Sequence, residues 1–191
     1  MKNDKLRFGV NYTPSKKWLY SWVDWDSAAI LDDLQTIAAM GMDHIRAHLL
    51  WPVFQPNRAY LSVTAMDRLE ELFALAESCK LDVVVTTLTG WICGDLHYPA
   101  WRGQANVFTD RTMIEAEKFL LSGIAARVGK RPNFLGFDMG NEINILDFSP
   151  NGSKISMEEG DRWLKEIMAH CETVAPGKMH VNGVDRSEER R

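Results

Sequence analysis

Asn141 and Glu142 stand side by side at the end of the run Phe134-Leu-Gly-Phe-Asp-Met-Gly, and an amide next to a carboxyl can hold a hydroxyl and move a proton at one place. The pair alone says little, because most glutamates lie on solvated faces. The run before it changes the reading. Phe134, Leu135, Phe137 and Met139 make it apolar enough to be covered on both faces, as parallel strands are, and Gly136 and Gly140 let neighbouring backbone come close. In a parallel α/β barrel the active site is built at the C-terminal ends of the strands, so a carboxyl delivered there reads as chemistry.

A second set of candidates lies on residues 43 to 51. His44, Arg46 and His48 alternate with Ile45, Ala47 and Leu49, which gives one polar and one apolar face. In a barrel the apolar face meets the helices and the polar set points inward, so Arg46 is expected to meet Asp138 or Glu142, as a buried guanidinium requires. The plain alternative is the wet face of an exposed strand. A metal site lacks a third ligand beside His44 and His48, and no metal or cofactor is expected.

The loop Gly90-Trp-Ile-Cys-Gly-Asp-Leu-His-Tyr-Pro-Ala-Trp101 is long and aromatic, and flat rings with hydrogen-bonding edges suit sugar faces and hydroxyls. Trp51, Trp91, His97, Tyr98 and Trp101 are expected to line a carbohydrate cleft, with His48 beside them. Trp18, Trp22 and Trp25 stand at helical spacing and are assigned to packing. Cys93 in the same loop reads first as a small packing residue, and Cys171 shares a helical face with Ile167, Met168 and Val174.

Five strand-like runs position these groups: residues 7 to 12, 43 to 51, 82 to 89, 134 to 142 and 178 to 184. Helical patterns follow the first four. They carry Ile30, Leu34, Ile37 and Ala38 with a stop at Gly41; Met66, Leu69, Leu72, Phe73 and Ala76 after Thr64; Ile114, Phe119, Ile124 and Val128 after Thr109; and Trp163, Ile167 and Cys171 after the capping box at Ser156 and Glu159. Strict alternation implies a parallel sheet, and the absence of a glycine-rich turn after the first run favours a barrel over a dinucleotide-binding sheet. A closed barrel takes about 250 residues and eight strands. The expected fold is therefore α/β, a partial (β/α)8 TIM barrel with strands one to five and helices one to four, over residues 1–184. A polar tail at 185–191 is expected to be disordered.

The chain has 191 residues, 46% of them hydrophobic, and a net charge of -4, which suits a globular core and offers no basic footprint for nucleic acid or an anionic membrane. Its start shows no apolar signal or membrane span, so the default expectation is cytoplasmic, or secreted if a leader was removed. Three cysteines suit neither a disulfide framework nor a zinc ribbon.

Phe8-Gly-Val-Asn-Tyr12, His44-Ile-Arg-Ala-His48 with Trp51, the Gly90-Trp91 loop and Gly140-Asn141-Glu142, in that order, resemble the clan A glycoside hydrolases, most of all glycoside hydrolase family 5, the cellulase and mannanase family. The resemblance implies retaining hydrolysis of β-linked poly- or oligosaccharides. It makes Glu142 the general acid/base, Asn141 the partner of a sugar 2-hydroxyl, and Arg46 the residue that orients the catalytic carboxylates. A retaining enzyme needs a second carboxyl about 5 to 5.5 Å from the first. The family's nucleophile is a glutamate at the end of strand seven, and this chain has no such strand. Asp138 is not a substitute, since four residues of strand put it about 13 Å from Glu142. The expectation is an acid half without its nucleophile, inactive alone, with carbohydrate as substrate and self-association through open barrel edges. A non-catalytic carbohydrate-binding half-barrel and a metal-dependent barrel hydrolase are the alternatives.

Overall fold

The computed structural model describes residues 6–88, 90–92, 94–148 and 152–184, with backbone alone at 147 and 148. In chain order come β1 (Gly9–Tyr12), α1 (Ser27–Ala39), β2 (His44–His48), α2 (Trp51–Phe54), α3 (Val63–Ser78), β3 (Asp82–Thr86), β4 (Trp91–Ile92), β5 (Asp95–Leu96), α4 (Arg111–Val128), β6 (Phe134–Asp138), α5 (Ile145–Phe148) and α6 (Met157–Val174). β1, β2, β3 and β6 form one parallel sheet in that order. The small antiparallel pair β4–β5 belongs to the loop after β3.

The strands are covered as their composition dictates. Val83, Val84 and Val85 are buried, as are Ile45, Ala47 and Leu49, whose side chains alternate with the polar face of β2. Leu34, Leu69, Phe73, Leu120, Ile124 and Ile167 come from the helices and complete the core. Side-chain caps start the helices: Asp26 accepts from Ala29, Ser62 from Ala65 and Asp110 from Met113. Ser156 and Glu159 form a full capping box, a device whose serine alone contributes about 1 kcal/mol. Gly41 closes α1 with φ +83°, a conformation that costs glycine nothing. Cys171 packs on the Met139 sulfur at 3.7 Å, and burial pushes its thiol up to about 12, so it fills space as a neutral group.

Several expectations are corrected. Trp51 opens α2, where Pro52 suits the first helical turn, and does not end a strand. Phe119 is 43% exposed, because α4 turns that position away from α3 and α6. Trp18 to Trp22 form a 3-10 turn in place of a longer helical pattern, with Lys17 and Trp18 both at positive φ. The 178–184 run makes one parallel bridge, Asp138 to Val181, and not a full strand. It still lies along β6: Met179 and Val181 donate to the Leu135 and Phe137 carbonyls at 2.8 and 2.9 Å. Gly136 permits this, since a Cβ there would come within 1.6 Å of the Met179 carbonyl oxygen. Cys93 and the 185–191 tail lie outside the described residues.

Candidate active site

Arg46 is the hub of the site. It projects from the inward face of β2, and its Nε donates to the Asp138 carboxylate at 2.6 Å while Nη2 also meets the same oxygen. The opposite corner, Nη1, donates to Asn11 Oδ1 at 3.2 Å, Asn141 Oδ1 at 3.0 Å and His48 Nε2 at 3.2 Å. Strands β1, β2 and β6 and the turn after β6 thus converge on one guanidinium. Its planar fork fits several acceptors at fixed angles, which an ammonium does not. Asp138 is fully buried and also accepts from Thr86 Oγ1 at 2.9 Å and the Gly183 amide at 2.8 Å.

Asn141 follows β6 at the end of the sheet where β1, β2 and β3 also finish. Its oxygen accepts from Arg46, and its nitrogen donates to the Trp91 carbonyl at 2.9 Å, so the amide orientation is set from both sides. Glu142 is half-buried and adopts φ +47°, a left-handed backbone that a non-glycine residue seldom takes and that clusters at functional sites. The turn is held by its own carbonyl, which accepts from Ile145 at 2.9 Å, and by the Ile143 amide on the Gly183 carbonyl at 3.0 Å. β6 ends at Asp138, before the residue expected, because the chain must turn out of the ladder to present Asn141 and Glu142.

His48 is buried beneath this cluster, where burial first and the Arg46 charge second push it down to about 3. A neutral ring there buttresses Arg46. His44 belongs elsewhere: it bonds Asp43 at 2.6 Å at the opposite end of β2.

The aromatic rim sorts into two groups. Trp91, His97 and Trp101 are half-buried in the loop after β3. The His97 amide closes that loop on the Gly90 carbonyl at 2.8 Å, its ring meets Trp18 edge-on, and burial lowers its pKa. Trp101 donates to the Gln55 carbonyl at 2.7 Å. Trp51 is 1% exposed, with its Nε1 on Gln55 Oε1 at 2.8 Å, so it backs Trp101 from the core and does not line a cleft. Its spacing from β2 suggested the rim, but the tight α2 turn folds it under.

Asn11 and Gly183 were not singled out as site residues. Asn11 has a legible signal, two positions from Gly9 on the inward face of β1; Gly183 has none, because its role depends on a segment packing beside β6. Among the described residues no group of three His, Cys, Asp or Glu side chains is arranged to hold a metal ion.

The family model for cellulase (glycosyl hydrolase family 5) matches residues 7–175. A GH5_18 structure from Streptomyces cattleya in complex with GlcNAc is 39% identical, with a TM-score of 0.91 over 95% of this chain and 45% of that one. A Glu-to-Ala variant of GH5_18 from the same organism, in complex with Manb1-4GlcNAc, is 38% identical over the same shares, also with a TM-score of 0.91. The exo-beta-1,4-mannosidase from Opitutaceae bacterium strain TAV5 is 26% identical, with a TM-score of 0.86 over 96% of this chain and 32% of that one. The chain therefore spans less than half the length of these relatives, and its parallel sheet corresponds to part of their barrel. No curated protein matches. The inward Arg46, the strand-end Asn141 and Glu142, and the match across residues 7–175 agree, and the chain belongs to glycosyl hydrolase family 5.

Proposed function

We propose that this chain supplies the acid/base side of a retaining site that cleaves a β-linked mannose from N-acetylglucosamine. The observation that carries the reading is Glu142, turned out of the sheet at φ +47° beside an Asn141 already held by Arg46 and the Trp91 carbonyl. Similar GH5_18 structures hold GlcNAc and Manb1-4GlcNAc, and a further relative is an exo-beta-1,4-mannosidase, which supports the choice of sugar.

In this reading Glu142 gives its proton to the departing glycosidic oxygen, and in the second step takes one from the attacking water. Asn141 has one N–H on Trp91 and a second to offer a sugar hydroxyl. Arg46 keeps the amide oxygen occupied, so that the nitrogen faces the ligand. Half-buried Trp91, His97 and Trp101 supply ring surface at the rim. The nucleophile is a second carboxylate about 5 to 5.5 Å from Glu142. Asp138 does not serve, being enclosed and bonded to Arg46, Thr86 and Gly183.

Hydrolysis of Manβ1-4GlcNAc and of an activated aryl β-mannoside tests this, measured on this chain completed with the remaining strands of a related GH5_18 barrel, which bring the second carboxylate, and on the same protein with Glu142→Gln. Turnover of the disaccharide falls by about 10²–10⁴-fold in the variant. The aryl substrate loses less in its first step, because its leaving group needs no proton. A completed protein that cleaves neither, or a variant as active as its completed parent on the disaccharide, overturns the proposal.

A further inference from the structure

We propose that Asp138 is the positioning residue of this site: it sets Arg46, through Arg46 it sets Asn141, and it makes both depend on the docking of residues 179–184. The inference rests on the reading of Asn141 and Glu142 as the site, but its geometry is independent of the substrate.

Asp138 is fully buried, and each of its oxygens is committed. Oδ2 receives Arg46 Nε at 2.6 Å, Arg46 Nη2, and Thr86 Oγ1 at 2.9 Å. Oδ1 receives the Gly183 amide at 2.8 Å. Gripping the Nε and Nη2 edge of a rigid plane fixes where Nη1 points, and Nη1 is the corner that meets Asn11, His48 and Asn141. Asp138 is itself held by backbone on two sides. It is paired with Thr86 of β3 and bridged to Val181.

Gly183 ties the far segment into the same arrangement. A Cβ at this position would lie 2.4 Å from the Gly140 carbonyl oxygen and 2.8 Å from Arg46 Nη2. The segment therefore presses backbone directly onto the guanidinium while its amide occupies Oδ1. Seating residues 179–184 against β6 completes the walls that keep Arg46 in one pose. An Asp138 without that amide has an open oxygen, and Arg46 gains room to swing.

Nitrogen-15 NMR of the protein, Asp138→Asn and Gly183→Ala reads this without substrate. In the parent, the Arg46 Nε–H exchanges slowly with solvent and the two Asn141 Nδ2 protons are well separated in shift. Losing a charge-assisted bond speeds Arg46 Nε–H exchange by about tenfold or more in Asp138→Asn and brings the Asn141 pair together. Gly183→Ala keeps the carboxylate and moves the same two signals, and it decides the question if Asp138→Asn does not fold. Folded variants that lose melting temperature while both signals stay as in the parent would show a merely structural role and overturn the proposal. Turnover measured alongside in the completed barrel falls in kcat more than in KM. A completed barrel without turnover would sink the mannosidase reading and leave the Asp138 result to the NMR signals.

Discussion

Arg46 donates to His48 across 3.2 Å, and because a guanidinium has no acceptor, the His48 Nε2 must accept and the ring must carry its proton on Nδ1. Nδ1 is buried with no hydrogen-bond partner among the described residues. A second ring proton would place a cation on a buried ring directly against Arg46. This is the physical reason that His48 is pushed down to about 3.

The pH dependence of folding follows with a definite sign. The unfolded ring takes up a proton below its ordinary value of 6.5, and the folded ring does so only near 3. Its contribution is present above 6.5 and is lost as pH falls through that window, at a limiting slope of about 1.4 kcal/mol per pH unit. His48→Gln keeps an acceptor for Arg46 and removes the titration. The stability difference between the variant and its parent, from urea melts between pH 7 and 4.5, should change in the variant's favour on acidification. Parallel curves would count against the tautomer assignment.

Glu117 acts with the opposite sign in part of the same range. It is fully buried in α4 and accepts from Trp163 Nε1 at 2.9 Å, while its other oxygen has no partner among the described residues. Burial raises it well above its ordinary 4.5, so the folded chain keeps a proton that the unfolded chain gives up. That stability is complete below 4.5 and falls as pH rises towards the folded value. Glu117→Gln retains the acceptor for Trp163 without the titration. Its melting temperature should gain on the parent's as pH rises above 5; a constant difference would mean the carboxyl is not held neutral.

Trp51 should behave as a core residue. Truncation to Ala removes a buried indole and is expected to cost about 3–5 kcal/mol. Trp51→Phe keeps most of the volume and should leave the calorimetric affinity for GlcNAc or Manβ1-4GlcNAc unchanged. Lost affinity at unchanged stability would return the residue to the cleft.

Gly136 should tolerate no side chain. A methyl group there meets the Met179 carbonyl oxygen, and overpacking of this kind costs about 1–3 kcal/mol. The expected readout for Gly136→Ala is faster hydrogen exchange at the Val181 amide, which donates to the Phe137 carbonyl. Unchanged protection would show that the segment is held by other contacts.

Much of this architecture was legible because it is local. Alternation along β2 put Arg46 and His48 on one face and Ile45, Ala47 and Leu49 on the other, and the capping box at Ser156 marked the start of α6 from residue types alone. Positions that depend on how distant elements pack were less legible. Phe119 follows the apolar period of α4, yet faces solvent because no helix among the described residues covers it. Trp51 looked like a rim residue until a single turn of helix folded it under the loop.

The sequence by itself determined which side chains share a strand face, that a capping box opens α6, and that an amide and a carboxyl leave β6 together, since these depend on backbone periods and on neighbours a few residues away; the starts of α3 and α4 fall at Ser62 and Asp110 and not at Thr64 and Thr109. Tertiary structure decided that, of the two carboxylates expected for Arg46, it takes Asp138, 92 residues away, and it alone decided that Glu142 turns through a left-handed backbone and that Gly183 seals the cluster. The physical reason is that a buried charge accepts whichever partners the topology brings within hydrogen-bond reach, and reach is a property of packed strands rather than of spacing along the chain.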